Sequence, residues 1–233
     1  MLESLSIIPT DKRFDTPLTQ LFEDLWSKVS GKKGGFFDDE TEHLYKERGK
    51  AMLRKVQNNP GPLERLAVKI KQDLPHYWLS TEDNIILCGK VDWLEYLPDQ
   101  DAVHIIDFKT GKKRDTSQSL QLPIYHLLVH NVQKRQVAGA SYWYLESDGE
   151  LDEKELPELE QAHEQVLQIA KQVKTARKLE HFKCPQGENG CRACKPLERV
   201  ISGEAELVGV SGYKQDIYVF SEKEELGDNS EIL

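Results

Sequence analysis

Apolar and polar positions follow two different periods along the chain, and the change of period marks its organisation. Between residues 16 and 58 apolar side chains recur every three or four positions. Leu18, Leu21, Phe22, Leu25 and Trp26 predict a helix over 16–29, with Thr16 as N-cap and Pro17 at its first position. Leu44, Tyr45, Met52, Leu53 and Val56 predict a second over 40–58, capped by Asp38 or Asp39 and ended at Asn58-Asn59-Pro60-Gly61-Pro62. The period then falls to two. Residues 64–71 alternate as a half-buried strand does, with a short helix after Pro62 as the alternative, and 76–80 predicts another strand. Two apolar runs, 85–97 and 102–109, flank a Pro-Asp-Gln-Asp turn and predict a hairpin. A helix is expected over 117–134, then a strand over 138–145, parallel to a core strand because a helix intervenes. A long amphipathic helix over 154–180, a cysteine-bearing segment and two short strands, 205–210 and 216–220, complete the pattern. Trp78, Trp93 and Trp143 read as core residues.

The hairpin carries the chemistry. Each run has one acid where an apolar residue is expected, Asp92 in the first and Asp107 in the second. Lys109 follows Asp107 by two and leaves the strand on the same face. Pairing of the two strands sets Asp92 beside Asp107. Two carboxylates and an ammonium then converge, a suitable place for a hard divalent cation with a lysine next to it. Gln121 and Tyr125 lie four apart and share a face of the following helix.

Composition narrows the class. A chain of 233 residues with 38% hydrophobic and 30% charged positions suits one polar, soluble domain over 1–221, followed by an acidic tail at 222–233 that reads as disordered. Within it the pattern separates N-terminal helices at 16–58, a core at 62–180 and a cysteine segment at 181–221. No apolar run approaches a membrane span and the N-terminus lacks a signal-peptide pattern, so a cytoplasmic protein is expected. The net charge of −9 argues against a basic nucleic-acid coat. Lys112, Lys113 and Arg114 nevertheless form a local basic patch beside Lys109 and are candidate DNA contacts. Three of the four cysteines cluster, which points to metal or free thiols rather than a disulfide framework.

Gly89 and Asp92, then Ile105-Ile106-Asp107-Phe108-Lys109-Thr110-Gly111, then Gln121-Leu122-Pro123-Ile124-Tyr125 together resemble the PD-(D/E)XK nuclease superfamily, in its RecB-like branch. The resemblance implies an α/β fold with a restriction-endonuclease-like core: a central mixed β-sheet flanked by helices, with an N-terminal helical layer. It implies Mg²⁺ or Mn²⁺ held by Asp92, Asp107 and the main-chain carbonyl of Phe108. Lys109 would orient or activate the attacking water, and Gln121 and Tyr125 would contact substrate or support the lysine. The implied activity is metal-dependent DNA cleavage, at ends or on single strands, in repair or recombination. The chain has no phosphate-binding G-x-x-x-x-G-K-[ST] motor motif, so a helicase or helicase–nuclease complex is the implied partner. The rivals are a DNA-binding scaffold of the same fold and a CRISPR-adaptation exonuclease.

Two positions depart from that pattern. RecB-like nucleases usually place a metal-ligating histidine four residues after a helical glycine; here Gly49 is followed by Leu53. Many relatives also bind an iron–sulfur cluster through a late C-x2-C-x5-C, and here Cys191 and Cys194 supply the first pair while Val200 occupies the last position. His181, Cys184, Cys191 and Cys194 remain, a set that suits tetrahedral Zn²⁺ better than an iron–sulfur cluster, with a metal-free loop as the alternative.

Overall fold

The computed structural model describes residues 1–111, 119–147, 150–184, 186–187, 190–212 and 214–220. Lys112, Lys113, Arg114 and the acidic tail lie outside the described residues. Two helices come first, α1 (Leu18–Trp26) and α2 (Asp39–Asn58). Strands β1 (His76–Ser80) and β2 (Ile85–Cys88) form an antiparallel pair. Then follow β3 (Trp93–Leu97), β4 (Ala102–Lys109), α3 (Gln121–Val132), β5 (Gln136–Tyr144) and β6 (Leu151–Lys154). Helices α4 (Leu159–Lys178) and α5 (Lys195–Ile201) lead to a second antiparallel pair, β7 (Ala205–Val210) and β8 (Asp216–Phe220).

The central sheet has the order β3-β4-β5-β6. β4 and β5 are parallel because α3 carries the chain back across the sheet between them; the other two pairings are antiparallel. Strand alternation divides the side chains between two faces. Trp93, Ile106 and Trp143 pack on one face with Met52, Leu53 and Val56 of α2 and the N-terminal Leu2 and Leu5. Leu94, Val103, Ile105 and Ala140 pack on the other, under Leu122 and Val129 of α3. Helix α4 closes a third cluster, in which Ala162 and Val166 meet Leu127 of α3 and Leu79 of β1. The result is the mixed α/β sheet with helices on both faces that the sequence leads one to expect.

Several local expectations are corrected. Helix α1 begins at Leu18 with Pro17, not Thr16, at its N-cap. The Leu18 N–H is satisfied from elsewhere, by Gln57 Oε1 of α2 at 2.8 Å. Gly49 is where α1 meets α2: a side chain there would start 2.7 Å from the Phe22 ring. The expected strand over 64–71 is only a short extended stretch. Ala67 bridges to Glu95, and hydrogen bonds join Val68 to Leu94 and Leu66 to Tyr96, which covers the β3 edge. The run 85–97 is not one strand. It breaks after Cys88, so that β2 pairs with β1 while β3 pairs with β4. Residues 151–154 form β6, and the helix expected from residue 154 begins only at Leu159; pairing with β5 overrides a polar sequence with no strand alternation. Trp78 is 51% exposed rather than core.

Arg13 ties the N-terminal layer to the sheet. It is buried, and its guanidinium donates to the carbonyls of Leu5, Ile8, Leu63 and Arg65 at 2.6–3.1 Å while lying over the Trp93 ring. Burial lowers its pKa from the usual arginine value. A lysine cannot reproduce this planar fork of donors. Arg13→Lys is expected to destabilise the protein by about 2–3 kcal/mol, because it strands buried carbonyls. Chemical denaturation of the two proteins measures it, and an unchanged midpoint would show that the fork is dispensable.

Candidate active site

The break between β2 and β3 positions the first acid. Trp93 pairs with Ile106, so Asp92, just ahead of β3, comes level with Asp107 near the end of β4. Asp92 Oδ2 accepts the Phe108 N–H at 2.9 Å, which locks the carboxylate against the neighbouring strand. Asp107 is only 2% exposed. Its Oδ1 accepts from Gln121 Nε2 at 2.9 Å, and its Oδ2 lies 2.9 Å from Lys109 Nζ.

Gln121, at the first position of α3, is the hub. Its Oε1 accepts from Lys109 Nζ at 2.6 Å, and its Nε2 also donates to the Tyr125 hydroxyl at 3.1 Å. The amide orientation is fixed by chemistry, since an ammonium can only donate and an ionised carboxylate can only accept. Lys109 lies 4.5 Å from the centre of the Tyr142 ring on β5. The structure therefore brings together five of the expected site residues: Asp92, Asp107, Lys109, Gln121 and Tyr125. Phe108 contributes its N–H to Asp92.

The electrostatics are those of a site built for a cation. The pKa of Asp92 is pushed up to about 6, chiefly by burial and further by the charges of Asp107 and Glu3, with the Phe108 hydrogen bond opposing. Burial raises Tyr125 to about 12, so its hydroxyl stays protonated at neutral pH. Asp107 Oδ2 is buried and has no aligned hydrogen-bond donor among the described residues, although Lys109 is close. Two crowded acids, one with a lone pair unused, fit a hard divalent cation, which would offset their repulsion.

Helix α2 forms the opposite wall. A cleft of about 380 Å³ is lined by Gly49, Met52, Leu53, Asp92, Phe108 and Thr110, among others. Leu53 thus stands on the wall facing Asp92, as an apolar member of the core rather than a ligand. Arg48 on the same helix donates to the Thr110 carbonyl and forms a two-pronged pair with Glu146 at 2.9 and 3.0 Å, which holds the ends of β4 and β5 to α2. Arg48, Glu3 and Tyr142 were not among the expected site residues. No local motif marks them; only the tertiary fold brings them to the site.

The cysteine segment lies elsewhere. The sulfurs of Cys184, Cys191 and Cys194 are within 4.8 Å of one another, and His181 is not part of that group.

The model of the PD-(D/E)XK nuclease superfamily matches residues 1–198, and the chain belongs to that superfamily. It is thereby placed among nucleases, hydrolases of nucleic acid that in general work with divalent metal ions. No curated protein matches the chain.

Because Gln121 fixes both Lys109 and Asp107, its loss should be felt in the chemistry more than in the fold. Gln121→Ala is expected to lower the cleavage rate about 10–100-fold, as loss of a group that orients the reacting ones does. Steady-state kinetics and circular dichroism on the same preparation check this. An unchanged rate would remove Gln121 from the site.

Proposed function

We propose that the chain is a Mg²⁺- or Mn²⁺-dependent deoxyribonuclease of the RecB-like type. It would act on DNA ends or single strands in repair or recombination, beside a helicase. The observation that carries this reading is the bridge from Lys109 through Gln121 to Asp107, with Asp92 hydrogen-bonded to the same strand end. Asp92, Asp107 and the Phe108 carbonyl would hold the ion, which when bound would offset phosphate charge and make a water more acidic.

The chain's own residues supply the rest. Lys109 keeps its ammonium beside Asp107, where it can donate to the attacking water and offset charge building on the phosphate. Tyr125 accepts from Gln121, which leaves its own proton for a phosphate oxygen. A groove of about 710 Å³ reaches Tyr142, the ring beside Lys109, and is lined also by Ser119, Lys154, Gln161 and Gln165 with acidic neighbours; it would offer a path for one strand. The net charge of −9 makes unassisted DNA binding weak and salt-sensitive, which favours delivery by a partner. Among the described residues no helix is long and apolar enough to cross a membrane.

End action is tested on linear and covalently closed circular single-stranded DNA of one sequence. The linear strand should be degraded and the circle left intact; rapid cutting of the circle would contradict an exonuclease. The second reading, a DNA-binding scaffold of the same fold with little activity, is favoured by Leu53 in place of a ligand. It predicts DNA binding without cleavage in either metal.

A further inference from the structure

Away from the acid–lysine site, the three sulfurs of Cys184, Cys191 and Cys194 form a second convergence of ligand atoms, with Cys191 and Cys194 3.6 Å apart. The surrounding segment has little else to hold it. Helix α5 is seven residues long and buries none of them, and Phe182, Leu197 and Ile201 are exposed. A short helix that buries no apolar side chain is not stable by itself. Three thiols are nonetheless gathered from both ends of an eleven-residue stretch.

The local backbone is shaped around the sulfurs. The N–H groups of Cys194 and Lys195 both close on the Cys191 carbonyl at 3.0 Å, which makes a tight turn between the two cysteines. The N–H groups of Cys194 and Ala193 are directed at the Cys191 sulfur. Three sulfurs this close together can share one metal ion.

Glu198 follows Cys194 by four residues and so projects from the same face of α5. Its Oε2 lies 3.1 Å from where a side chain on Gly190 would begin, over the residue that precedes Cys191. The carboxylate stands outside the group of three sulfurs, on the helix that Cys194 caps. His181 is anchored instead to the end of α4, through its N–H to the Ala176 carbonyl. Cys88, the fourth cysteine of the chain, is on β2 and not in the group.

We propose that Cys184, Cys191 and Cys194 hold one zinc ion as thiolates, with Glu198 as its fourth ligand, and that this ion replaces an apolar core for the segment leading into β7 and β8. Three sulfurs and one oxygen satisfy tetrahedral zinc, whereas a four-iron cluster requires a fourth thiolate. Binding and local folding are then one event.

The test uses the full chain, purified under reducing conditions without added metal. Elemental analysis should find about one zinc per chain. Cobalt(II) loaded in its place should give the intense visible absorption of tetrahedral thiolate coordination. Cys184→Ser and Cys194→Ser should lose the zinc. Glu198→Gln should weaken zinc binding by about tenfold or more, judged against a chelator, while His181→Ala leaves it unchanged. Asp107→Ala should keep its zinc whatever it does to cleavage, which separates this site from the nuclease reading. Iron in place of zinc, absence of any metal, or a Cys191–Cys194 disulfide that survives reductant would each overturn the proposal. Loss of zinc in His181→Ala with retention in Glu198→Gln would overturn the ligand set. Zinc content and the cobalt spectrum of the unsubstituted protein decide the matter even where a cysteine variant fails to fold.

Discussion

Asp107→Ala will lower the rate of DNA cleavage by about a thousandfold while leaving the fold in place. Asp107 is the most buried group of the site; Gln121 donates to one of its oxygens, Lys109 is ion-paired with the other, and the Asp92 carboxyl interacts with it from the neighbouring strand. Removing it takes half the carboxylate charge from the proposed ion site and frees Lys109 and Gln121 from their shared anchor. Stability should suffer little. The side chain of Lys109 keeps 18% of its surface open to solvent, and Gln121 keeps Tyr125 as a partner. Loss of Asp107 also removes a charge that works against ionisation of Asp92. The check pairs a rate measurement with thermal unfolding. A variant that cleaves at the parent rate, after contaminating nuclease is excluded by a second purification, would end the assignment of this acid.

Asp92→Asn will separate the metal from the fold. In the metal-free protein the Asp92 pKa is raised from 3.8 to about 6, chiefly by burial. A raised acid pKa means that the folded state holds its proton more tightly than the unfolded chain does. The neutral carboxyl therefore favours the fold fully below about pH 4, and that advantage is lost as pH rises through about 6. Asparagine can still accept the Phe108 N–H and never carries the charge. In the presence of a chelator, Asp92→Asn should be more stable than the parent above pH 6 by on the order of 2 kcal/mol, or roughly 5 °C in melting temperature. Near pH 4 the two should converge. Added Mn²⁺ reverses the order, because an ion that binds only the folded state stabilises it in proportion to occupancy. The parent's melting temperature should climb with Mn²⁺ at pH 7.5 and much less at pH 5, where Asp92 is largely protonated, and that of Asp92→Asn should stay flat. Mn²⁺ should exceed Mg²⁺ in this effect, since a site with few protein ligands favours the less strongly hydrated ion. Equal responses of parent and variant to Mn²⁺ would place the ion elsewhere.

The sequence carried the sheet's centre and left its margins obscure, for reasons visible in particular residues. The strand over 102–109 was legible because Val103 and Ile105 alternate with residues of the opposite face and a turn precedes it. Asp38 as the cap of α2 was legible because its side chain accepts the Thr41 N–H, a strictly local bond. The N-cap of α1 was not, since the Leu18 N–H is met by Gln57 from thirty-nine residues away. The break in 85–97 was hidden because both halves are apolar and of strand character; β2 stops where its partner β1 begins, at His76 opposite Cys88, and Gly89 is the local sign of it. Polar β6 was hidden because pairing with β5, not alternation, makes it a strand. At the site, the spacing of Asp107, Lys109, Gln121 and Tyr125 on one strand and one helix face could be read directly. The roles of Arg48 and Tyr142 could not, because each reaches the site across a tertiary contact.

The most direct measurement is cleavage itself. End-labelled single- and double-stranded DNA is incubated with the purified chain in Mn²⁺, in Mg²⁺ and in EDTA, beside Lys109→Ala prepared identically. A metal-dependent nuclease at this site predicts degradation in Mn²⁺, slower degradation in Mg²⁺, none in EDTA, and a loss of about a thousandfold in Lys109→Ala. DNA that stays intact in both metals, or is cut equally by Lys109→Ala, would contradict it.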